Sequence, residues 1–203
     1  MKQKKLPSTL PNMLLSLGLV SIIAAALLGG MYLVTKEPIA EIEKSTRLEA
    51  IRRVAPAFDN DPEADARKFV TASGDTCTVY PALLNGKFNG AAVSTRSMEG
   101  FAGEITVMCG FTATGEVKDY QVLSHAETPG LGSKMQLWFR DPQGARSVIG
   151  KNPANTSFYV VKDKDKHGEI DGITAATISS RAFLGSLRDA FKAYTDYKES
   201  EKL

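Results

Sequence analysis

Hydrophobic positions change their spacing twice along this chain, and each regime predicts a different element. From Leu6 to Thr35 no residue is charged, and Met13 to Val34 (MLLSLGLVSIIAAALLGGMYLV) is almost wholly apolar. As a helix this stretch rises roughly 33 Å, enough to cross a hydrocarbon core of about 30 Å. A cleaved signal peptide has a shorter apolar region, about 7–15 residues, ending in a small-residue cleavage site. The run therefore predicts a retained transmembrane helix. From Thr35 to about Val54, Ile39, Ile42, Ile51 and Val54 recur among charged residues and continue a helix, with Pro38 in its first turns. A polar connector with two prolines, APAFDNDPEADARKF, follows.

From Thr76 the period becomes two. TCTVYPALL, GAAVSTR, GEITVMCGF and EVKDYQVLS predict strands, separated by turns at Asn85-Gly86, Asn89-Gly90, Glu99-Gly100 and Thr114-Gly115. LGSKMQLWFRD predicts a short helix closed by Asp141-Pro142, SFYVVK a further strand, and DKDKHGE a charged turn. Helical spacing returns at Ile178 and runs to about Lys198, with Phe183, Leu187, Ala190, Phe191 and Tyr194 on one stripe. The expected class is α+β: a single N-terminal transmembrane helix, then a domain with an antiparallel sheet and flanking helices. The expected divisions are a cytoplasmic tail at 1–12, the membrane helix at 13–34, a helical connector at 35–70 and the folded domain at 71–203.

Charge adds orientation. Lys2, Lys4 and Lys5 precede the span, whereas Lys36 is mixed with Glu37, Glu41 and Glu43 beyond it. The positive-inside bias predicts a cytoplasmic N-terminus and an extracytoplasmic domain. A net charge of +2, without a basic stripe interleaved with aromatics, argues against nucleic acid as a partner. Cys77 and Cys109 would lie in an oxidising space that permits a disulfide. Cys109 shares a strand face with Ile105, Val107 and Phe111, which favours a buried free thiol.

The chemistry concentrates in DGITAATISSRAF, Asp171 to Phe183. A Thr or Ser ahead of an apolar helix is ordinarily an N-cap. Four hydroxyls, Thr174, Thr177, Ser179 and Ser180, exceed what one cap needs. A helix N-terminus also suits a phosphate, and Gly172, Ala175 and Ala176 leave room for a bulky group to approach. On the residues alone, a covalently joined phosphate, ordinary phosphorylation and a noncovalent phospholigand all stay open.

Asp171-Gly-Ile-Thr-Ala-Ala-Thr177, with Ser179 after it, resembles the flavinylation motif Asp-x-x-Ser/Thr-Gly-Ala-Thr-x-Ser/Thr. Families with this motif have the phosphate of FMN coupled by a flavin transferase to the threonine that ends the Gly-Ala-Thr core. The resemblance makes Thr177 the acceptor of a phosphoester-linked FMN, with Asp171, Thr174 and Ser179 in the flanking polar positions and Ala176 in the core. Ala175 stands where the family usually has glycine, so a positive φ there would be strained. A second segment, Ser124-His-Ala-Glu-Thr-Pro-Gly-Leu-Gly-Ser-Lys134, is similar to the His-x-Glu-Thr-Pro-Gly-Leu-Gly segment of the same FMN-binding domain. Read bare, its Pro129-Gly130 is only a turn. The resemblance makes it the loop along the isoalloxazine ring, with Glu127 and Thr128 as polar contacts, Gly130 and Gly132 allowing backbone approach, and Leu131 packing on the ring. His125 is read as structural, since flavin electron transfer needs no histidine base.

The likeness covers nearly the whole chain and is greatest to the family formed by the G subunit of the Rnf electron-transport complex. The C subunit of the sodium-translocating NADH:quinone reductase shares the domain but is typically longer. The resemblance implies an electron-carrying component at the inner membrane, other membrane subunits of an Rnf-type complex as partners, a flavin transferase for maturation, and neither a metal site nor a catalytic acid–base pair. The competing reading is a membrane-anchored binding or scaffold domain in which Thr177 only caps a helix.

Overall fold

The computed structural model describes residues 9–71 and 74–203. Lys2, Lys4 and Lys5, on which the orientation rests, lie outside the described residues. The chain divides after Thr46 into two units.

The first unit is the greater part of α1, which runs Leu10–Val54. Its apolar side chains point outward unburied: Leu14, Val20, Ile22 and Leu28 are each 60% exposed or more. Water penalises such a surface and lipid tails do not. It is one helix long and apolar enough to cross a membrane. Pro38 lies deep inside α1 rather than in the first turns of a separate helix.

The second unit is built on five antiparallel strands in meander order: β1 (Arg67–Val70), β2 (Thr76–Leu84), β3 (Lys87–Gly100), β4 (Gly103–Thr112) and β5 (Val117–His125). Alternation along β4 shows how the layers form. Ile105, Val107, Cys109 and Phe111 point to one face, where α3 (Thr177–Glu201) lays down Phe183, Leu187, Ala190 and Tyr194. Met108 points to the other face, against Ala50, Ile51 and Val54 from the last turns of α1 and Ala55 just after it. Phe183 stacks on Phe139 at 4.5 Å, and truncating such a ring to alanine costs about 3–5 kcal/mol. Both cysteines are free and buried. Burial pushes both thiols up from their ordinary range.

Four expectations are corrected. Asn89-Gly90 is not a turn but an irregularity inside β3, where Ala82 pairs with Gly90 and Leu83 with Phe88. The Asn89 side-chain amide donates from this irregularity to the Ala57 carbonyl at 2.8 Å. Glu99-Gly100 ends a strand, and the turn falls one step later at Phe101-Ala102, between the paired Gly100 and Gly103. SFYVVK forms no sheet strand. Val160 makes a lone parallel bridge to Ile170, while Phe158 and Val160 are buried in the core. β1 falls within the expected connector; only Phe69 of its four residues packs inward, edge-on to Tyr197 at 6.5 Å. The Asn85-Gly86 turn stands, with φ of 52° and 71°, the pair of positive values that a two-residue type I′ hairpin requires.

Candidate functional site

Three segments distant in sequence converge on a cavity of about 320 Å³: Phe101 from the β3–β4 turn, Glu127 to Gly132 from the loop after β5, and Ala175 to Ser179 at the start of α3. That volume lies at the lower end of the range for small-molecule sites, roughly 300–1,000 Å³. Phe101, Leu131 and Ile178 are 67%, 39% and 49% exposed, so the mouth is rimmed by apolar side chains.

Glu127 ties the segments together. The residue is 4% exposed; one carboxylate oxygen accepts the Ser179 hydroxyl at 2.7 Å and the other accepts the Ala102 N–H at 3.3 Å. A Cβ on Gly132 would stand 2.5 Å from Glu127 Oε2 and 2.6 Å from Ser179 Oγ, and one on Gly100 would stand 2.7 Å from Glu127 Oε1. Only glycine leaves that clamp its space. His125 accepts the Glu127 N–H on Nδ1 at 3.2 Å, in keeping with a structural part.

The loop itself is a turn on Pro129-Gly130. Leu131 N–H donates to the Thr128 carbonyl, Gly130 has φ 77°, and its N–H donates to Ser133 Oγ at 2.9 Å. It leads into a single 3-10 turn (Gly132–Lys134) and α2 (Met135–Trp138). Tyr120 on β5 anchors α2 by donating its hydroxyl to the Met135 carbonyl at 2.7 Å, and burial holds that hydroxyl well above its ordinary pKa. Gln136 accepts the Val122 N–H at 2.9 Å. The loop is thus fixed from behind, with its Thr128 and Leu131 side chains left to the cavity.

At the start of α3, Ala176 N–H donates to the Ile173 carbonyl across a turn in which Ala175 has φ 61°. Non-glycine residues meet strain of about 1–2 kcal/mol in that left-handed region. Ser180 closes the turn: its hydroxyl accepts the Ile173 N–H at 2.8 Å and donates to the Ala176 carbonyl at 2.9 Å. The cap position is Ala176, which carries no side-chain cap bond, so the capping role considered for Thr177 is corrected. Thr177 is the first helical residue and half-buried, and among the described residues its hydroxyl has no hydrogen-bond partner. The N–H groups of the first helical turn beside it are the ones a helix leaves unpaired.

Thr177, Ala175, Ala176, Ser179, Glu127, Thr128, Leu131 and Gly132 therefore come together, while Asp171, Thr174 and Gly130 lie outside the lining. Thr174 is exposed. Asp171 braces the approach to the turn: its carboxylate accepts the Ala145 N–H at 3.0 Å, its N–H donates to the Ala145 carbonyl at 2.9 Å, and its carbonyl accepts Trp138 Nε1 at 2.8 Å. Sequence reasoning misses Phe101. The exposed aromatic beside a glycine is its one signal, and it carries no periodicity. The Glu127–Ser179 bond, across 52 residues, is equally invisible in the sequence.

These residues fit FMN: an apolar-rimmed cavity for a flat ring opens beside a helix N-terminus and the Thr177 hydroxyl, both suited to its phosphate. Residues 100–192 match the family model of the FMN-binding domain, a span that takes in all three segments of the cavity. Fold and site together thus define an FMN-binding domain. The chain is 31% identical over 201 residues to the G subunit of the ion-translocating oxidoreductase complex of Aliivibrio fischeri, covering 95% of this chain and 93% of that one. It is 35% identical over 178 residues to the corresponding G subunit of Stutzerimonas stutzeri, covering 86% and 76%. To the G subunit of the Na(+)-translocating ferredoxin:NAD(+) oxidoreductase complex of Acetobacterium woodii it is 31% identical over 190 residues, covering 89% of each. The chain belongs to this family, the G subunits of ion-translocating oxidoreductase complexes.

Proposed function

We propose that this chain is the flavin-carrying electron-transfer subunit of a membrane complex that couples ferredoxin- or NAD-type electron transfer to ion translocation, with FMN joined through its phosphate to Thr177. The observation that carries this is the half-buried Thr177 hydroxyl, without a partner among the described residues, at a helix N-terminus on the wall of the cavity. The unpaired N–H groups at the start of α3 hold the phosphate oxygens. Leu131, Phe101 and Ile178 supply apolar surface to the ring, and Thr128 offers a polar contact at the mouth. Bound there, FMN supplies one- and two-electron redox chemistry, which matches carriers that exchange electrons singly with those that exchange them in pairs. A tether keeps its local concentration independent of any free pool, which matters for a domain facing an extracytoplasmic space.

Maturation then needs a flavin transferase on the same side of the membrane, and operation needs the other membrane subunits of an Rnf-type complex. Residues 13–34 cross the inner membrane, 1–12 stay in the cytoplasm, and the rest of the chain lies beyond it. The test is flavin fluorescence in a denaturing gel after co-production with a flavin transferase, since only a covalent flavin survives denaturation. A fluorescent native band that vanishes in Thr177→Ala supports the proposal; a dark native band contradicts it.

A further inference from the structure

Glu127 is a carboxylate where a simple apolar wall would have sufficed. It is 4% exposed and lines the cavity. Its two oxygens are held separately, one by the Ser179 hydroxyl at 2.7 Å and the other by the Ala102 N–H at 3.3 Å. The ion pairs found among the described residues are Arg47–Glu63, Arg53–Asp119, Arg96–Glu104, Arg140–Asp119, Arg146–Asp141 and Arg181–Asp163, so no cation among them neutralises it. Gly100 and Gly132 hold open the space it occupies. A buried charge is weakly screened, so its field reaches into the adjoining cavity.

We propose that Glu127 is a fixed negative charge built into the cavity wall, a positioning residue that joins the three segments and holds the midpoint potential of the flavin bound there below the value a neutral side chain would give. This rests on FMN occupying the cavity, as proposed above. Reduction of an oxidised flavin by two electrons with uptake of one proton adds one negative charge to the ring, the electrons coming from the reductant of the titration. A carboxylate on the wall opposes that charge and so disfavours the reduced form. The Ser179 hydroxyl draws off part of the carboxylate's charge, so its loss strengthens the opposition.

The test is a spectroelectrochemical titration of the flavin-loaded full chain in detergent at mildly alkaline pH. Native protein is compared with Glu127→Gln, Ser179→Ala and Leu131→Ala, and the melting temperature of each apo-chain is measured alongside. A variant that is not loaded covalently is measured after reconstitution with free FMN, against a Thr177→Ala chain reconstituted in the same way. The expected result is a raised midpoint potential in Glu127→Gln, a lowered one in Ser179→Ala, and an altered flavin spectrum in Leu131→Ala. Glu127→Gln at or below the native potential with an unchanged melting temperature overturns the proposal. So does Ser179→Ala at or above it, which decides the matter alone where Glu127→Gln does not fold. If Leu131→Ala alone responds, the charge proposal falls and the site stands. If none of the three alters spectrum or potential, the flavin is not in this cavity, and the site assignment falls with it.

Discussion

Ala175 occupies a backbone conformation that its side chain resists, at the one point where the sequence departs from the flavinylation motif. With φ at 61° it stores strain of about 1–2 kcal/mol, which glycine would relieve at an entropic cost of about 0.5–1 kcal/mol. Ala175→Gly should therefore stabilise the apo-protein by up to about 1 kcal/mol, read as a higher urea midpoint with an unchanged slope. A lower midpoint would mean that the left-handed turn is not strained. The run of hydroxyls and small residues was legible in the sequence, but the division of labour among them was not. Ser180 closes the turn, Ser179 holds Glu127, Asp171 braces Ala145, and Thr177 is left without a hydrogen-bond partner among the described residues. Each assignment depends on a partner that only the folded chain brings near.

Among the elements, period-two stretches were readable wherever a strand had a buried face. The bounds of β2 coincide with TCTVYPALL, and those of β4 extend GEITVMCGF by one residue. β1 was unreadable because a four-residue edge strand with one inward side chain has no period. The loop after β5 depends on close approach. Gly132→Ala would push a methyl group into the Glu127–Ser179 bond and should destabilise the domain by about 1–3 kcal/mol, measured by urea denaturation. A variant as stable as native would show that the clamp is not tightly packed. On the charged turn before the acceptor segment, hydrogen bonds from the Arg181 guanidinium hold the Asp163 carboxyl below its ordinary pKa. The native state thus favours ionised Asp163, and the stabilisation is present above the ordinary carboxylate pKa and lost as pH falls below about 4. Asp163→Asn should lower the melting temperature at neutral pH and approach the native value in acid. A difference that persists undiminished in acid would contradict the pairing.

At the scale of the whole molecule, an apolar helix and a flavin domain make sense together only if the domain works beside a membrane. The length of the apolar run was the plainest signal in the sequence, because nothing in a compact fold of this size hides so many unpaired apolar side chains. Alkaline phosphatase fused after Leu203 should be active, since the enzyme folds only outside the cytoplasm. An inactive fusion of normal abundance would reverse the proposed orientation. The central claim, however, is the bond to Thr177, and intact mass followed by peptide mapping tests it most directly. Protein co-produced with a flavin transferase should gain the mass of one FMN less one water, carried on the peptide spanning Ile173 to Ser180. Thr177→Ala should remove that gain entirely while leaving the fold intact. Flavin that persists covalently in Thr177→Ala, or that maps to Thr174, Ser179 or Ser180 in the native chain, would contradict the account.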